Sequence, residues 1–166
     1  MHETVADLRN LQALLDRSYA AAGEHLLSIH SPERRMTAAR IAQQLTGVCI
    51  LALATVTSDG RPRAGPVDGL FFRGEFWFGS SPDSVRFRHI RRNPAVSAVH
   101  ARGEELAVTV HGTAVETTLR ADPGLAAYCA EIYHERYGEG WSDWAAGFPF
   151  ARIAAERMYA FERSGI

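Results

Sequence analysis

Small and hydroxyl-bearing residues precede a predicted helix in the middle of the chain, and their types suit an anion. Gly79, Ser80 and Ser81 follow an aromatic segment and lie just before a helix that is predicted to begin after Ser84. Free amides at the start of a helix attract anions, and serine hydroxyls donate hydrogen bonds. Arg86 falls in the first turn, where a cation is unfavourable for the helix dipole unless an anion lies nearby. The pattern predicts a site for a terminal phosphate, and a plain helix cap is the alternative.

Two more arginines lie at the start of the predicted strand that begins near Pro62. Arg61 and Arg63 follow the predicted turn Ser58–Gly60, and we expect them to converge on the same anion. The chain contains no lysine, so all 18 basic residues are arginine. Any phosphate site must therefore use guanidinium groups, backbone amides or hydroxyls.

The composition is that of an ordinary globular domain. A length of 166 residues corresponds to one domain, and 46% hydrophobic with 22% charged residues excludes a disordered chain. The net charge of −1 disfavours a nucleic-acid partner. No apolar run reaches the roughly 20 residues of a membrane helix, and the first residues lack the features of a signal peptide. We expect a cytoplasmic protein without a membrane partner, in which Cys49 and Cys129 are buried rather than metal ligands.

Residues 1–46 are predicted to be a helical lead. Apolar residues at helical spacing indicate an amphipathic helix near the start: Val5, Leu8, Leu11, Leu14 and Leu15. Ser31 followed by Pro32 predicts the start of a second helix that continues through Met36 to about Leu45. Such a pair also occurs in DNA-reading helix-turn-helix domains, but the near-neutral charge favours packing on a sheet or on a dimer partner.

Residues 47–119 are predicted to form the core of a β-barrel. The run Val48–Thr57 is continuously apolar, which is typical of a strand buried on both faces. Glycine-containing turns separate it from further strands, and Ser84 caps a short inserted helix that ends at Arg92. These strands are predicted to begin near Pro62, Phe76, Ala95 and Leu106.

Residues 120–166 are predicted to add a helix and a closing strand. Asp122 and Pro123 open the helix, which continues to about Tyr137, and the strand covers Arg152–Glu162. Antiparallel strands joined by short turns favour a small closed barrel in a single domain. The predicted fold class is mainly β (α+β), with six strands, N-terminal helices and inserted helices.

The order of these motifs resembles that of the pyridoxamine 5′-phosphate oxidase-like family, whose fold is the flavin-binding split β-barrel. The resemblance rests on four segments: Leu53–Val56, Asp59–Arg63, Phe76–Ser81 and Ser84–Ser97. It implies a homodimer with two sites at the subunit interface, each of which binds FMN or the deazaflavin F420.

The resemblance also implies which residues contact the cofactor. The phosphate positions of the family correspond to Arg63, Ser80 with Ser81, and Arg86, with assistance from Arg91. The backbone of the second strand, Ala64–Val67, is expected to run beside the isoalloxazine ring. The whole candidate set is Arg61, Arg63, Ala64, Gly65, Pro66, Val67, Gly79, Ser80, Ser81, Ser84, Val85, Arg86 and Arg91.

Departures from the family pattern argue against oxidation of vitamin B6. The second strand has Val67–Gly69 where true pyridoxamine phosphate oxidases have a lysine, Ala107 stands in place of a glutamine, and the tail Met158–Arg163 lacks the family's Arg/His substrate motif. The expected function is an FMN- or F420-dependent oxidoreductase acting on a small conjugated substrate, with a slight preference for F420. The alternative is a non-catalytic flavin-, F420- or heme-binding protein for storage or sensing, and no side chain is singled out as a catalytic acid or base.

An aromatic cluster in the tail has two readings. It consists of Tyr137, Trp141, Trp144 and Phe148. We favour packing in the core or at a dimer contact, and the alternative is a cap over the isoalloxazine ring.

Overall fold

The computed structural model describes residues 2–163, which form six α-helices and six β-strands. The helices are α1 (Val5–Ala20), α2 (Glu24–Ile29), α3 (Ala38–Gln44), α4 (Val85–Arg92), α5 (Pro123–Tyr137) and α6 (Gly140–Ala145). The strands are β1 (Cys49–Val56), β2 (Pro62–Phe72), β3 (Glu75–Gly79), β4 (Ala95–Arg102), β5 (Leu106–Thr118) and β6 (Pro149–Glu162).

The six strands close into an antiparallel barrel in the order β1-β2-β3-β6-β5-β4. The predicted fold class is therefore confirmed. Tight turns connect the hairpins, and Gly60 at φ +82° and Gly74 at φ +78° supply the left-handed conformations that these turns need. The last strand pairs with β3 on one side and with β5 on the other. Every strand of the barrel therefore has a hydrogen-bonded neighbour on both sides.

Alternation along the strands fills the lumen of the barrel with apolar side chains. Val108 and Val110 of β5 point inward and are buried, whereas Thr109 and His111 point outward, which agrees with the apolar and polar alternation of these residues in the sequence. The inward residues share one core with apolar residues of α1, α3 and α4. Helix α1 is also tied to β6, because the backbone amide of Met158 donates to the Ser18 hydroxyl at 3.0 Å.

A second core lies on the outer side of β2 and β3. Leu70, Phe72 and Trp77 pack there against α5. This second core holds α5 and α6 against the barrel.

Both cysteines are buried, as predicted. Burial raises the pKa of the Cys49 thiol to about 11 and that of the Cys129 thiol to about 12, so neither is a reactive thiolate near neutral pH.

The helical lead differs from its prediction. The helix that was predicted to run from Ser31 to about Leu45 is a 3₁₀ turn at Pro32–Arg34, followed by the separate helix α3. Between them the chain is extended: Arg35 forms a bridge with Phe161, and the Met36 amide donates to the Ala160 carbonyl at 3.1 Å. Pairing with β6 therefore overrides helix propensity here. Helices α2 and α6 have no counterpart in the sequence prediction, and β6 begins three residues earlier than predicted.

Strand β1 is buried on one face rather than on both. Cys49, Leu51 and Leu53 face the core, but Ile50 on the opposite face is 51% exposed. The apolar run thus provides a lumen face and an uncovered outer face. None of the helices in residues 2–163 has the length and apolar character that crossing a bilayer requires.

Candidate functional site

Arg86 lies against the backbone of β2, where its guanidinium group is half-buried. The Ser84 hydroxyl accepts from the Phe87 amide at 3.3 Å and caps α4, as predicted. From the first turn, Arg86 Nη2 donates to the Pro66 carbonyl at 3.0 Å. Burial lowers the pKa of the guanidinium group, and within residues 2–163 no carboxylate forms an ion pair with it. A partly desolvated cation with spare donors is suited to an anionic ligand.

The Gly79–Ser81 loop leads into the first turn of α4, which carries this guanidinium group. Strand β3 ends at Gly79, and the Ser80 amide donates to the Pro149 carbonyl at 3.3 Å. The Ser84 amide donates to the Ser81 carbonyl at 3.0 Å, which fixes the loop to the start of α4. The hydroxyls of Ser80 and Ser81 have no hydrogen-bond partner in the part of the chain that the structure describes, so both are available to a ligand.

Two of the other predicted arginines are held by acidic side chains. Arg61 Nε lies 3.0 Å from Asp59, within the same turn. Arg91 makes a two-point ion pair with Glu116, at 3.0 and 2.8 Å. Arg63 is exposed and, among the described residues, forms no ion pair. The structure thus leaves Arg86 and Arg63 available and gives Arg61 and Arg91 partners within the protein.

The remaining predicted residues occupy the surfaces around Arg86. Ala64 and Pro66 are exposed on the outer side of β2, whereas Val67 points into the lumen. Gly65 borders the guanidinium group, since a Cβ added there would lie 3.8 Å from Arg86 Nη2, an ordinary van der Waals contact. Val85 is exposed beside the Ser84 cap.

A cavity of about 720 Å³ opens between the loop and helices α5 and α6. Ser80 and Ser81 form part of its wall, together with Asp68, Gly79, Tyr133, Tyr137, Gly140, Trp141, Trp144, Ala145, Phe148 and Phe150. Gly79 has to be small, because a Cβ there would meet the Phe150 ring at 2.8 Å. The volume lies in the range of small-molecule sites.

The aromatic cluster lines this cavity, and only part of it is packed as core. Trp141 lies against Tyr133 with ring centroids 4.6 Å apart, and it contacts the second core. Trp144 contacts Phe148 at 4.3 Å but is 62% exposed. The favoured prediction of plain packing is therefore incomplete, because Trp144 and Tyr137 also offer open ring surface.

Sequence reasoning did not select Asp68, Tyr133 or Phe150 as site residues. Asp68 entered only as part of a departure from the family pattern. Its position follows from alternation, because Val67 points into the lumen and Asp68 therefore points outward. That outward face becomes a cavity wall only through the packing of α5 and α6, for which the local sequence gives no signal.

A family model places the chain in a known class of proteins. The model described as pyridoxamine 5′-phosphate oxidase matches residues 37–161, which is about three quarters of the chain. The chain therefore belongs to the pyridoxamine 5′-phosphate oxidase family. Comparison with curated proteins gives no match.

Solved structures with the same fold share little sequence with the chain. A conserved hypothetical protein of Mycobacterium tuberculosis is 21% identical, with a TM-score of 0.65, over 79% of this chain and 88% of its own. An FAD-binding protein of Mesorhizobium loti is 22% identical, with a TM-score of 0.56, over 79% and 98%. A protein named F420 reductase is 18% identical, with a TM-score of 0.53, over 70% and 93%. At these identities the similarity shows a common fold.

Proposed function

We propose that the protein is an FMN- or F420-dependent oxidoreductase that acts on a small conjugated substrate. The observation that carries the proposal is Arg86, a half-buried cation without a carboxylate partner in residues 2–163, in the first turn of the helix that follows two serine hydroxyls that are free to donate. In this arrangement Arg86, Ser80 and Ser81 hold the terminal phosphate of the cofactor. Arg63 approaches from the start of β2.

The β2 backbone positions the ring system of the cofactor. The exposed stretch Ala64–Pro66 has small side chains, so a flat ring can approach the main chain closely. When bound, the cofactor supplies hydride transfer, and the protein supplies orientation and shielding from water. In this proposal Arg86 fixes the phosphate end, and the β2 backbone fixes the plane of the ring.

The open cavity favours an enzyme over a storage or sensing protein. A binder without catalytic function needs no room beside the ring, whereas an oxidoreductase must admit a second molecule. The cavity of about 720 Å³ adjoins the Ser80–Ser81 loop and is open to solvent at Trp144. The names F420 reductase and FAD-binding protein, borne by two proteins of the same fold, agree with redox or flavin-binding roles.

Oxidation of pyridoxamine 5′-phosphate itself is not the proposed reaction. A carboxylate, Asp68, lies in the cavity wall, and no arginine of residues 2–163 lines the cavity. A phosphate-bearing substrate placed there would be repelled rather than bound.

The proposed assembly is a homodimer. The outer face of the barrel is apolar and uncovered along β1, with Ile50 and Ala52 exposed beside the exposed Pro66 of β2. Exposed contiguous apolar surface on a globular chain indicates an interaction site. A two-fold pairing of this face would bury more than a standard interface of roughly 1,600 Å² and would bring each β2 cofactor edge next to the second copy.

Titration with both cofactors tests the proposal. Absorbance and fluorescence of the purified protein should show saturable binding of FMN or F420, with bound F420 or FMN then reduced or oxidised by a conjugated test substrate. We expect a slight preference for F420, because its longer anionic tail can reach Arg88, which also lacks a carboxylate partner among the described residues. Absence of binding for both cofactors would reject the function.

A further inference from the structure

The cavity wall contains an acidic side chain that no residue of the described chain neutralises. Asp68 is partly exposed to the cavity and has neither an ion pair nor a hydrogen-bond donor within residues 2–163. It lies close to Tyr133: burial raises the pKa of that phenol, and the charge of Asp68 adds to the shift. A carboxylate beside buried rings is partly desolvated, so a cation that enters the cavity would stabilise it through a charged hydrogen bond.

The other walls of the cavity are aromatic. Indole and phenol rings surround the space above Asp68, with Tyr133, Tyr137, Trp141 and Trp144 among them. The faces of such rings carry negative partial charge and attract cations, with indole the most effective. Apolar rings also bind the flat body of a conjugated molecule.

The charges near the cavity favour a cationic ligand over an anionic one. Within the described part of the chain, no arginine lines the cavity. Arg136 lies 5.8 Å from the Tyr137 ring centroid, but it is exposed and is not part of the cavity wall. Asp68 is thus the charged group in the wall, so an anion would be repelled and a neutral molecule would leave the carboxylate unpaired.

We propose that this cavity binds a small organic cation, namely a protonated amine or quaternary ammonium carried on an aromatic or otherwise flat body. The cationic nitrogen pairs with Asp68, and the flat body lies against Trp141 and Trp144. As the substrate of an oxidoreductase, this cation rests on the proposed function, whereas its binding to the cavity does not depend on a cofactor.

Three small probes of one shape test the charge preference. Benzylamine is protonated near neutral pH, benzyl alcohol is neutral and benzoate is an anion. The chain has three tryptophans, and their indole N–H signals can be followed by NMR in isotope-labelled protein. Trp141 and Trp144 should shift on titration, while buried Trp77, whose Nε1 donates to the Phe72 carbonyl at 2.9 Å, should stay in place as an internal reference.

The expected result is a clear order of affinity that depends on Asp68. Benzylamine should bind about tenfold or more tightly than benzyl alcohol, and benzoate more weakly still, because a charged hydrogen bond contributes on this scale. Asp68→Asn keeps the shape and should remove the advantage of benzylamine while leaving benzyl alcohol unchanged. The matched control is Asp143→Asn, since Asp143 lies on α6 between the two cavity tryptophans but outside the cavity wall.

Specific outcomes would overturn the proposal. Equal affinity for the three probes, or an unchanged benzylamine affinity in Asp68→Asn, would show that the carboxylate does not select a cation. If Asp68→Asn does not fold, Trp144→Leu at the exposed mouth gives the second test, and benzylamine affinity should fall there too. Cofactor titration of the same samples separates the two proposals. A protein that binds no cofactor but prefers benzylamine would reject only the proposed function, and a protein that binds a cofactor without this preference would reject only the cation site.

Discussion

Two regions border the Ser80–Ser81 loop, and each has a charged side chain without a partner of opposite charge among the described residues. The charge is positive in one region and negative in the other. On the α4 side, Arg86 rests on a β2 carbonyl without a carboxylate partner in the described chain. On the α5–α6 side, Asp68 faces aromatic rings without a cation. Some arginines of the barrel have a carboxylate partner, as in the pair between Arg152 and Glu75 at 2.8 Å. Unpaired charges in partly buried positions cost stability, so these two regions are where the fold leaves room for ligands of opposite sign.

Strands β2 and β3 build both regions, which are neighbours along β2. Pro66 contributes its backbone carbonyl to Arg86, and Asp68, two residues on, lies on the same outer face of the strand and lines the cavity. A cofactor phosphate and a cationic substrate would then bind a few residues apart without sharing a side chain. The comparison shows that one loop borders both the site with the unpaired cation and the cavity with the unpaired carboxylate.

The largest expected effect comes from a charge in the uncovered outer face, which would break both regions together. Ile50→Glu places a carboxylate where we propose that the second copy packs, and Ile50 is also the cross-strand partner of Asp68. Burying an unpaired charge in an apolar contact is strongly unfavourable. We expect the wild type to be a dimer and the variant a monomer in light scattering at micromolar concentration, with cofactor affinity lost as well.

The control for this experiment is Val5→Glu. Val5 is 75% exposed in the first turn of α1, and a carboxylate there suits the helix dipole. It should leave both assembly and cofactor affinity unchanged. A dimeric Ile50→Glu protein would show that another surface forms the interface, and a monomeric wild type would reject the homodimer itself.

Removing the cation on the α4 side should give the next largest effect. Arg86→Ala takes away a charged hydrogen-bond partner from a partly buried site, which typically costs about 2–5 kcal/mol. Affinity for FMN or F420 should therefore fall roughly 30-fold or more in a fluorescence titration. Arg92→Ala, on the same helix, exposed and without an ion-pair partner among the described residues, serves as the matched control. If both variants bind like the wild type, the phosphate lies elsewhere.

Keeping the charge but changing its shape sharpens this result. Arg86→Lys retains a cation but loses the planar fork that can bond a carbonyl and a phosphate together. We expect a loss of affinity between that of wild type and Arg86→Ala, roughly 3- to 10-fold, in the same titration. A lysine variant as weak as the alanine variant would mean that the hydrogen bond to Pro66, rather than the charge, positions the site.

Local patterns predicted most of the barrel. Alternation put Val108 and Val110 on one face of β5, and the Ser84 cap located α4 to the residue. Such features depend on the residue and its close neighbours, so a sequence carries them directly. The first helix of the lead was predicted on the same basis, whereas the second was wrong, because Met36 is extended by a bond to Ala160, more than a hundred residues away.

The two charged regions were predictable to different degrees. Arg86 followed from its place in a capped helix turn. Asp68 could be placed on an outer face by alternation, but its aromatic surroundings come from α6, a six-residue helix without a cap hydrogen bond from a side chain. The partner of Arg91 was equally hidden, since Glu116 approaches it only through the register of the barrel.

The smallest expected effect distinguishes a paired arginine from an unpaired one on the same helix. Arg91 is already satisfied by Glu116, whose hydrogen bonds raise the pKa of the guanidinium group and hold it away from other anions. Arg91→Ala should therefore change cofactor affinity by less than about threefold and thermal stability only slightly, because exposed ion pairs contribute little. Glu116→Gln is the companion variant: it frees Arg91 and should strengthen the binding of an anionic cofactor. A loss in Arg91→Ala as large as that in Arg86→Ala would show that the ion pair opens when the cofactor binds, and it would place Arg91 in the phosphate site beside Arg86.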